Sequence, residues 1–512
     1  MSCSIRLLPL LLLGAAPAPP TVDLLIRGGT VYPGAEASFV GDVAVRGDRI
    51  VAVGPRLAVA ARRTIDAGGL IVAPGFIDPH THMGDALASA DARTRLIPAF
   101  LLQGVTTAFI GNDGGGSTDV AAVLDGAATR PVGINYATYV GFGQVRHAVI
   151  GDSARAPDAG ELTRMGGLVA RAMCEGALGL STGLFYAPQS FAKTDEVVAL
   201  AREAGQRGGF YDSHLRDESS YTIGLRAAVD EALTIGREAR VPVHISHIKA
   251  LGVDVEGQSR QVIAAVRAAR AAGQRVTADQ YPWSASGTTL VASLVPGWAQ
   301  DGGRAAMLAR LDNPAVAARL RREMAENLRR RGGAAKLLLT EGPQAGRTLA
   351  ALGGESIDTA IEVIRRGDPA VTSFNQSERD IRAFMAEPWV MTGSDASGGH
   401  PRVFGSFARK WAVYVHEGVL TPREFVERSS TLAAETFGLA GRGHLRAGAF
   451  ADLVVFDPKT YAARATYAQP TVAAVGVRTV VVNGVVAVDG GRLTGAAAGR
   501  ALRHVPTAGI CP

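Results

Sequence analysis

LIVAPGFIDPHTH, residues 70–82, runs from an almost unbroken apolar segment into two histidines one residue apart. The same texture recurs in VTTAFIG (105–111), INYATYVG (134–141), ALGLSTG (177–183) and GFYDSH (209–214). It returns in VPVHISHI (241–248), RVTADQYP (275–282) and WVMTGSD (389–395). Near-continuous apolar strands are those buried on both faces, as in parallel sheets. Segments of helical periodicity, such as TDEVVALAREAGQRG and RQVIAAVRAARAAGQR, lie between most of them. Strands alternating with helices in this way predict an α/β fold, an (α/β)8 TIM-like barrel over 71–440. The gap at about 285–385 is too long for a simple connection and mostly helical in pattern, so it reads as an insertion capping the site.

Outward from the barrel, both chain ends change character. DLLIRGGTVYPG and DVAVRGDRIVAVG near the start, and ADLVVFDP (451–458) and VRTVVVNGVVAVDGG (477–491) near the end, are short strands ending at turns. Asn483-Gly484 between two β-branched runs is a hairpin signal. Residues 21–70 and 441–500 are therefore expected to form one small β-sandwich domain. Ahead of them, Arg6, the apolar run Leu7–Leu13 and GAAPAP at 14–19 have the order of a secretory signal peptide over 1–20. A periplasmic or secreted protein is expected, with no membrane attachment once the signal is removed. Leu7–Leu13 is far shorter than the ~20 residues of a membrane span.

Composition excludes other classes. Apolar residues are 47% and charged residues 20%, the usage of a globular chain rather than a disordered one. The net charge of +6 is spread among acids, and RLRREMAENLRRR (319–331) reads as a solvated helix face. No basic strip with interleaved aromatics suggests nucleic acid; a mild positive field suits a small anionic substrate. Three cysteines are too few for a disulfide framework, and one bridge between Cys174 and Cys511 stays open.

In such barrels, chemistry sits at the C-terminal ends of the strands. Those ends carry His80, His82, Asp113, His214, His247 and Asp395. Imidazoles and carboxylates on separate strand ends are what a zinc-type site needs. On a strand, residues two apart share a face, so His80 and His82 can both point into the barrel mouth, while His244 should face away.

At these residues the chain resembles a known family. GFIDPHTH (75–82) is similar to the metal-binding motif of the amidohydrolase superfamily. GALGLSTGLFYAP (176–188), HLRDES (214–219), ISHIKALG (245–252), DQYPW (279–283), GSDAS with HPRVFGSFAR (393–409), and RGHLRAGAFADLVVFDP (442–458) resemble its D-aminoacylase branch, the N-acyl-D-amino-acid deacylases. The matches run from about 22 to 500. The resemblance implies one tightly bound Zn2+ on His214 and His247 and a weaker second divalent position facing His80 and His82. It implies Asp395 as the catalytic carboxylate, Lys249, Tyr281 and Arg402 as binders of the substrate carboxylate, and Phe185 and Tyr186 as the wall of the side-chain pocket. The D-configuration is implied by the resemblance alone.

One position departs from the family. Gly111-Asn112-Asp113 stands where relatives often end in Cys, and Asp is a harder metal ligand than a thiolate. The fourth strand ends in Ser181-Thr182, without the lysine that bimetallic relatives carboxylate. The expected activity is metal-dependent hydrolysis of a small N-acyl amino acid, with Asp395 moving the proton from water to the leaving nitrogen. The alternatives are a dipeptidase or cyclic-amide hydrolase of the same superfamily, and a non-catalytic metal- or ligand-binding scaffold. Retention of four histidines and Asp395 argues against the scaffold.

Overall fold

Parallel strands at the centre of the chain stop where the sequence turns from apolar to polar. In the computed structural model, which describes residues 21–511, they are β1 (Phe76–Asp78), β2 (Val105–Ile110) and β3 (Asn135–Thr138, continued by Val140–Gly141). There follow β4 (Gly179–Gly183), β5 (Phe210–His214), β6 (Val243–Ile245), β7 (Val276–Gln280) and β8 (Val390–Thr392). The expected signal segment, 1–20, lies outside the described residues. One parallel ladder joins β1, β2 and the first part of β3; another runs from the second part of β3 through β4, β5, β6 and β7 to β8. The segments after β1 and β8 meet in a parallel bridge between Thr81 and Ala396. Asp395 N donates to His80 O at 3.0 Å and His82 N to Ala396 O at 2.9 Å. Ile77, Phe109, Ala137, Phe210 and Met391, from separate strands, share one buried cluster with Phe437.

The helices between strands bury one stripe each. Leu225–Ala239 buries Leu225, Ala228, Val229, Ala232 and Ile235, the three- and four-residue spacing of a single helix face. Ala159–Glu175 starts at a capping box in which the Asp158 side chain accepts from Glu161 N and Glu161 reaches back to Asp158 N. Cys174, near the end of that helix, is bonded to Cys511, which ties down the C-terminal tail.

The run read as one strand at 70–80 is two. Ile71–Pro74 pairs antiparallel with Leu453–Phe456 in a nine-stranded sheet built from both chain ends. Gly75 then lets the chain turn into β1, because a Cβ there would lie 2.2 Å from Thr106 Oγ1. In the same sheet Asn483 (φ +48°) and Gly484 (φ +82°) make the turn between Val477–Val482 and Val485–Asp489.

Between β7 and β8 the chain is not only helical. Ser286–Thr289, Ala370–Ser373 and Leu337–Leu339 form a three-stranded antiparallel sheet beside helices such as Pro314–Arg330. This segment has its own core of Leu290, Leu294, Met324, Leu328, Ile361 and Ile364. Among the described residues, no helix is long and apolar enough to cross a membrane.

Candidate metal centre and active site

The strand ends deliver their polar residues through strained backbone. Asp113, His247 and Asp395 all have positive φ (+56°, +35° and +49°), a region non-glycine residues rarely occupy. Such strain persists where surrounding structure over-determines it, and it clusters at functional sites. Gly111 (φ +79°) starts the turn after β2, where a Cβ would lie 2.8 Å from the Tyr139 carbonyl. Asn112 then ties three segments together: its Nδ2 donates to Pro79 O and to Asp212 Oδ2, both at 3.1 Å.

Two donor sets converge on Asp113. His80, His82, Asp113 and Asp395 form one, and Asp113, His214 and His247 the other; within each set, ligand atoms lie within 4.8 Å of one another. Asp113 Oδ2 is 3.5 Å from His214 Nδ1 and 3.6 Å from His247 Nε2. On the other side, Asp113 Oδ1 is 3.5 Å from His80 Nε2, and His82 Nε2 is 3.2 Å from Asp395 Oδ1. His80 is fully buried, yet neither of its ring nitrogens has a hydrogen-bond partner, nor has Asp113 Oδ1. Buried polar atoms are nearly always satisfied, so His80 Nε2 and Asp113 Oδ1, both orphaned and facing each other within a His/Asp cluster, fit a divalent cation.

Electrostatics favours ionised carboxylates here. Burial alone would raise the Asp113 carboxyl, but the imidazoles of His80, His247 and His214 outweigh it and hold it well below its usual range. Burial is likewise overcome at Asp395, by the charges of Arg402 and His247 and a hydrogen bond to His82. Arg402 Nη1 lies 2.6 Å from Asp395 Oδ2, and Arg402 Nη2 donates to Ser397 Oγ at 2.6 Å.

A cavity of about 460 Å³ opens over this cluster, lined among others by His82, Asp113, Phe185, Tyr186, Lys249 and Arg402. Tyr186 accepts from Thr288 Oγ1 at 3.3 Å, so its own proton stays free for a ligand. Burial raises its phenol further above the usual range and keeps it protonated. Lys249 is held by Glu218 Oε1 at 2.6 Å and by His247 Nδ1 at 2.7 Å. Tyr281 does not line the cavity. It is buried behind the wall, where its hydroxyl accepts from Gln376 Nε2 and its ring lies 4.9 Å from Arg402 Cζ.

Several residues at the site carry no role in the sequence reading. Asp279, at the end of β7, receives His244 Nε2 at 3.0 Å and His247 N at 3.1 Å, and lies 3.7 Å from His80 Nδ1. His244 therefore does not face away from the site: it is bonded to the carboxylate beneath His80. Alternation fails because β6 ends at Ile245 and the chain turns before His247. Glu218, four residues after His214, is held at a pKa of about 2: burial opposes this, but Lys249, His214 and His247 outweigh it. Asp279 was findable as one more acid on a strand end. Glu218 depends on a contact 31 residues away in sequence.

The family model of the amidohydrolase family matches residues 63–488. The chain is 36% identical over 510 residues to a D-aminoacylase of Alcaligenes xylosoxydans xylosoxydans, covering 94% of this chain and 97% of the relative. Among solved structures, a D-aminoacylase described as having a binuclear metal centre, with one-metal activation and second-metal attenuation, superposes with a TM-score of 0.80 at 32% identity. That match covers 94% of this chain and all of the other. An N-acyl-D-glutamate deacylase from Bordetella bronchiseptica, complexed with zinc and a phosphonate mimic of the tetrahedral intermediate, superposes with a TM-score of 0.79 at 31% identity, with the same coverage.

Proposed function

This chain belongs to the amidohydrolase family, and from that premise we propose that it hydrolyses the amide bond of N-acyl-D-amino acids, giving a carboxylate and a free amino acid. The observation that carries the reading is the sharing of Asp113 by two His-containing donor sets beneath one cavity. The activities named for its relatives in the D-aminoacylase branch support the D-configuration.

His214 and His247, with Asp113, would hold the tighter zinc ion, and His80 and His82 would face the second divalent position. When bound, zinc supplies Lewis acidity, which acidifies water and polarises an acyl carbonyl. Asp395 Oδ1 takes the proton of the attacking water and passes it to the departing nitrogen. Arg402 fixes the other oxygen of that carboxylate, so Oδ1 faces the reacting atoms. The Tyr186 hydroxyl donates to the oxyanion as it develops. Lys249 and Arg402, beside His247 and Asp395, present cations to the substrate carboxylate next to the scissile amide. Phe185 walls the side-chain pocket.

The eight parallel strands are read as a closed (α/β)8 barrel. The Thr81–Ala396 bridge and the cluster around Phe437 support closure. The terminal sheet is read as the accessory β domain. Export to the periplasm or beyond is read from the N-terminal segment, and the Cys174–Cys511 bridge supports it, since disulfides persist in oxidising compartments.

The reading is tested by amine release from N-acetyl-D-methionine and its L-isomer, using zinc-reconstituted protein beside Asp395→Asn. D-selective turnover that the variant loses is the expected result. Metal-loaded protein that turns over neither isomer overturns it.

A further inference from the structure

We propose that Arg331 receives a second substrate carboxylate, carried on the amino-acid side chain, so that acidic N-acyl amino acids are the preferred substrates. This rests on the deacylase reading above. Arg331 is the last residue of the basic run read as a solvated helix face. Arg319, Arg321, Arg322 and Arg329 do face solvent, but Arg331 is only 2% exposed and lines the cavity over the metal centre.

Its placement is built. Arg331 caps the C-terminus of the helix Pro314–Arg330. The Arg330 carbonyl accepts from Val253 N at 3.1 Å, in the loop after β6. Gly252 (φ +95°) permits this seating, because a Cβ there would lie 2.3 Å from that carbonyl. Arg331 Nε donates to Ser293 O at 3.3 Å and Nη1 to Ser373 Oγ at 3.0 Å. Among the described residues no carboxylate pairs with it.

The other Lys and Arg side chains lining the cavity each already hold one protein carboxylate, Lys249 that of Glu218 and Arg402 that of Asp395, whereas Arg331 holds none among the described residues. Burying a charge without a counter-ion is costly, and an incoming carboxylate relieves that cost while matching the planar guanidinium. The nearby Tyr221 hydroxyl, buried and unpartnered, offers a further donor.

An aromatic wall assigns the charge to the side chain. The Phe185 ring lies 5.9 Å from His214 and 5.3 Å from Tyr221, and Arg331 Cζ lies 5.7 Å from the Tyr221 ring. Arg331 thus stands at the far end of the side-chain wall from the metal ligands. The carboxylate next to the scissile amide is served instead by Lys249 and Arg402.

The test compares N-acetyl-D-glutamate, its neutral isostere N-acetyl-D-glutamine, and N-acetyl-D-methionine on zinc-reconstituted wild type, Arg331→Met and Arg331→Lys. Calorimetric binding of D-glutamate against D-glutamine is measured in parallel. Wild type should favour glutamate over glutamine by about tenfold or more in kcat/KM and in affinity. Arg331→Met should bring that ratio near one, mainly through KM, and keep methionine turnover within about threefold. Arg331→Lys should retain part of the preference, and it decides the matter if the methionine variant does not fold. Equal handling of glutamate and glutamine by wild type overturns the proposal, as does an equal loss on all substrates in the variants. A preference for N-succinyl- over N-butyryl-D-methionine that needs Arg331 places the carboxylate on the acyl side and also overturns it. Absence of turnover on every substrate sinks the deacylase reading alone, because the binding comparison still decides the role of Arg331.

Discussion

Arg402 grips Asp395: its Nη1 lies 2.6 Å from Oδ2, and both side chains are buried. The other oxygen, Oδ1, is left to His82 at 3.2 Å and to the cavity. Removing the guanidinium strips a buried carboxylate of its counter-charge and frees its orientation. Arg402→Met is expected to lower kcat/KM by a factor on the order of 10²–10³. Since Arg402 also lines the cavity, both kcat and KM should change. Steady-state kinetics beside a circular-dichroism check of folding measures this; kcat within twofold of wild type would show that Asp395 does not depend on the pair.

Asp113 belongs to both donor sets, so its loss should reach both metal positions, whereas loss of His82 should reach one. Asp113→Asn is expected to leave the protein nearly free of zinc after dialysis, and His82→Asn to keep the tighter ion. Metal analysis by mass spectrometry gives the stoichiometries. Chelation of wild type should also lower Tm, because a ligand that binds only the native state at a thousand times its Kd stabilises it by about 4 kcal/mol. An unchanged Tm on chelation, with zinc shown to be gone, contradicts a built metal site.

The donor residues were legible because the apolar runs of β1, β2, β5, β6 and β8 lead into a histidine or an aspartate. His214 and Asp395 need no three-dimensional information to be singled out. What pairs with them does: Glu218 meets Lys249, and Arg402 meets Asp395, through turns whose strained φ angles no local pattern announces. The solvated face read from 319–331 holds for Arg319, Arg321, Arg322 and Arg329. It fails at Arg331, because the helix ends there and the chain leaves that face. The terminal sheet was readable as strands and turns, but its Ile71–Pro74 strand was hidden inside the run leading to His80.

Cys174 and Cys511 are 337 residues apart in sequence and 5.7 Å apart at Cα. Closing so long a loop constrains the unfolded chain and stabilises the native one by up to about 5 kcal/mol in the chain-entropy account. Neither cysteine lines the cavity. Cys511→Ser is therefore expected to lower Tm by several degrees and leave kcat unchanged. A calorimetric scan with and without reductant, alongside mass spectrometry of the bridged peptides, tests it. Identical scans for wild type and variant would show that the tail contributes nothing to stability.

Asp452 anchors the terminal sheet to β3 through a buried polar network. Its carboxylate pairs with Arg442, receives Asn135 Nδ2 at 3.2 Å, and accepts from Asn483 N at 2.7 Å. Asn483 Nδ2 in turn donates to Asn135 Oδ1 at 2.7 Å. The pair itself is worth little relative to an apolar replacement, but breaking it leaves Arg442 charged and unpaired in the interior. Asp452→Ala should therefore cost about 3–5 kcal/mol, while the double variant Asp452→Ala/Arg442→Met should recover much of that loss. Neither change touches the cavity, so kcat at low temperature should hold. Denaturant melts of the two variants decide between an unpaired buried charge and a simple loss of packing: if the double variant is no more stable than the single one, packing is the cause.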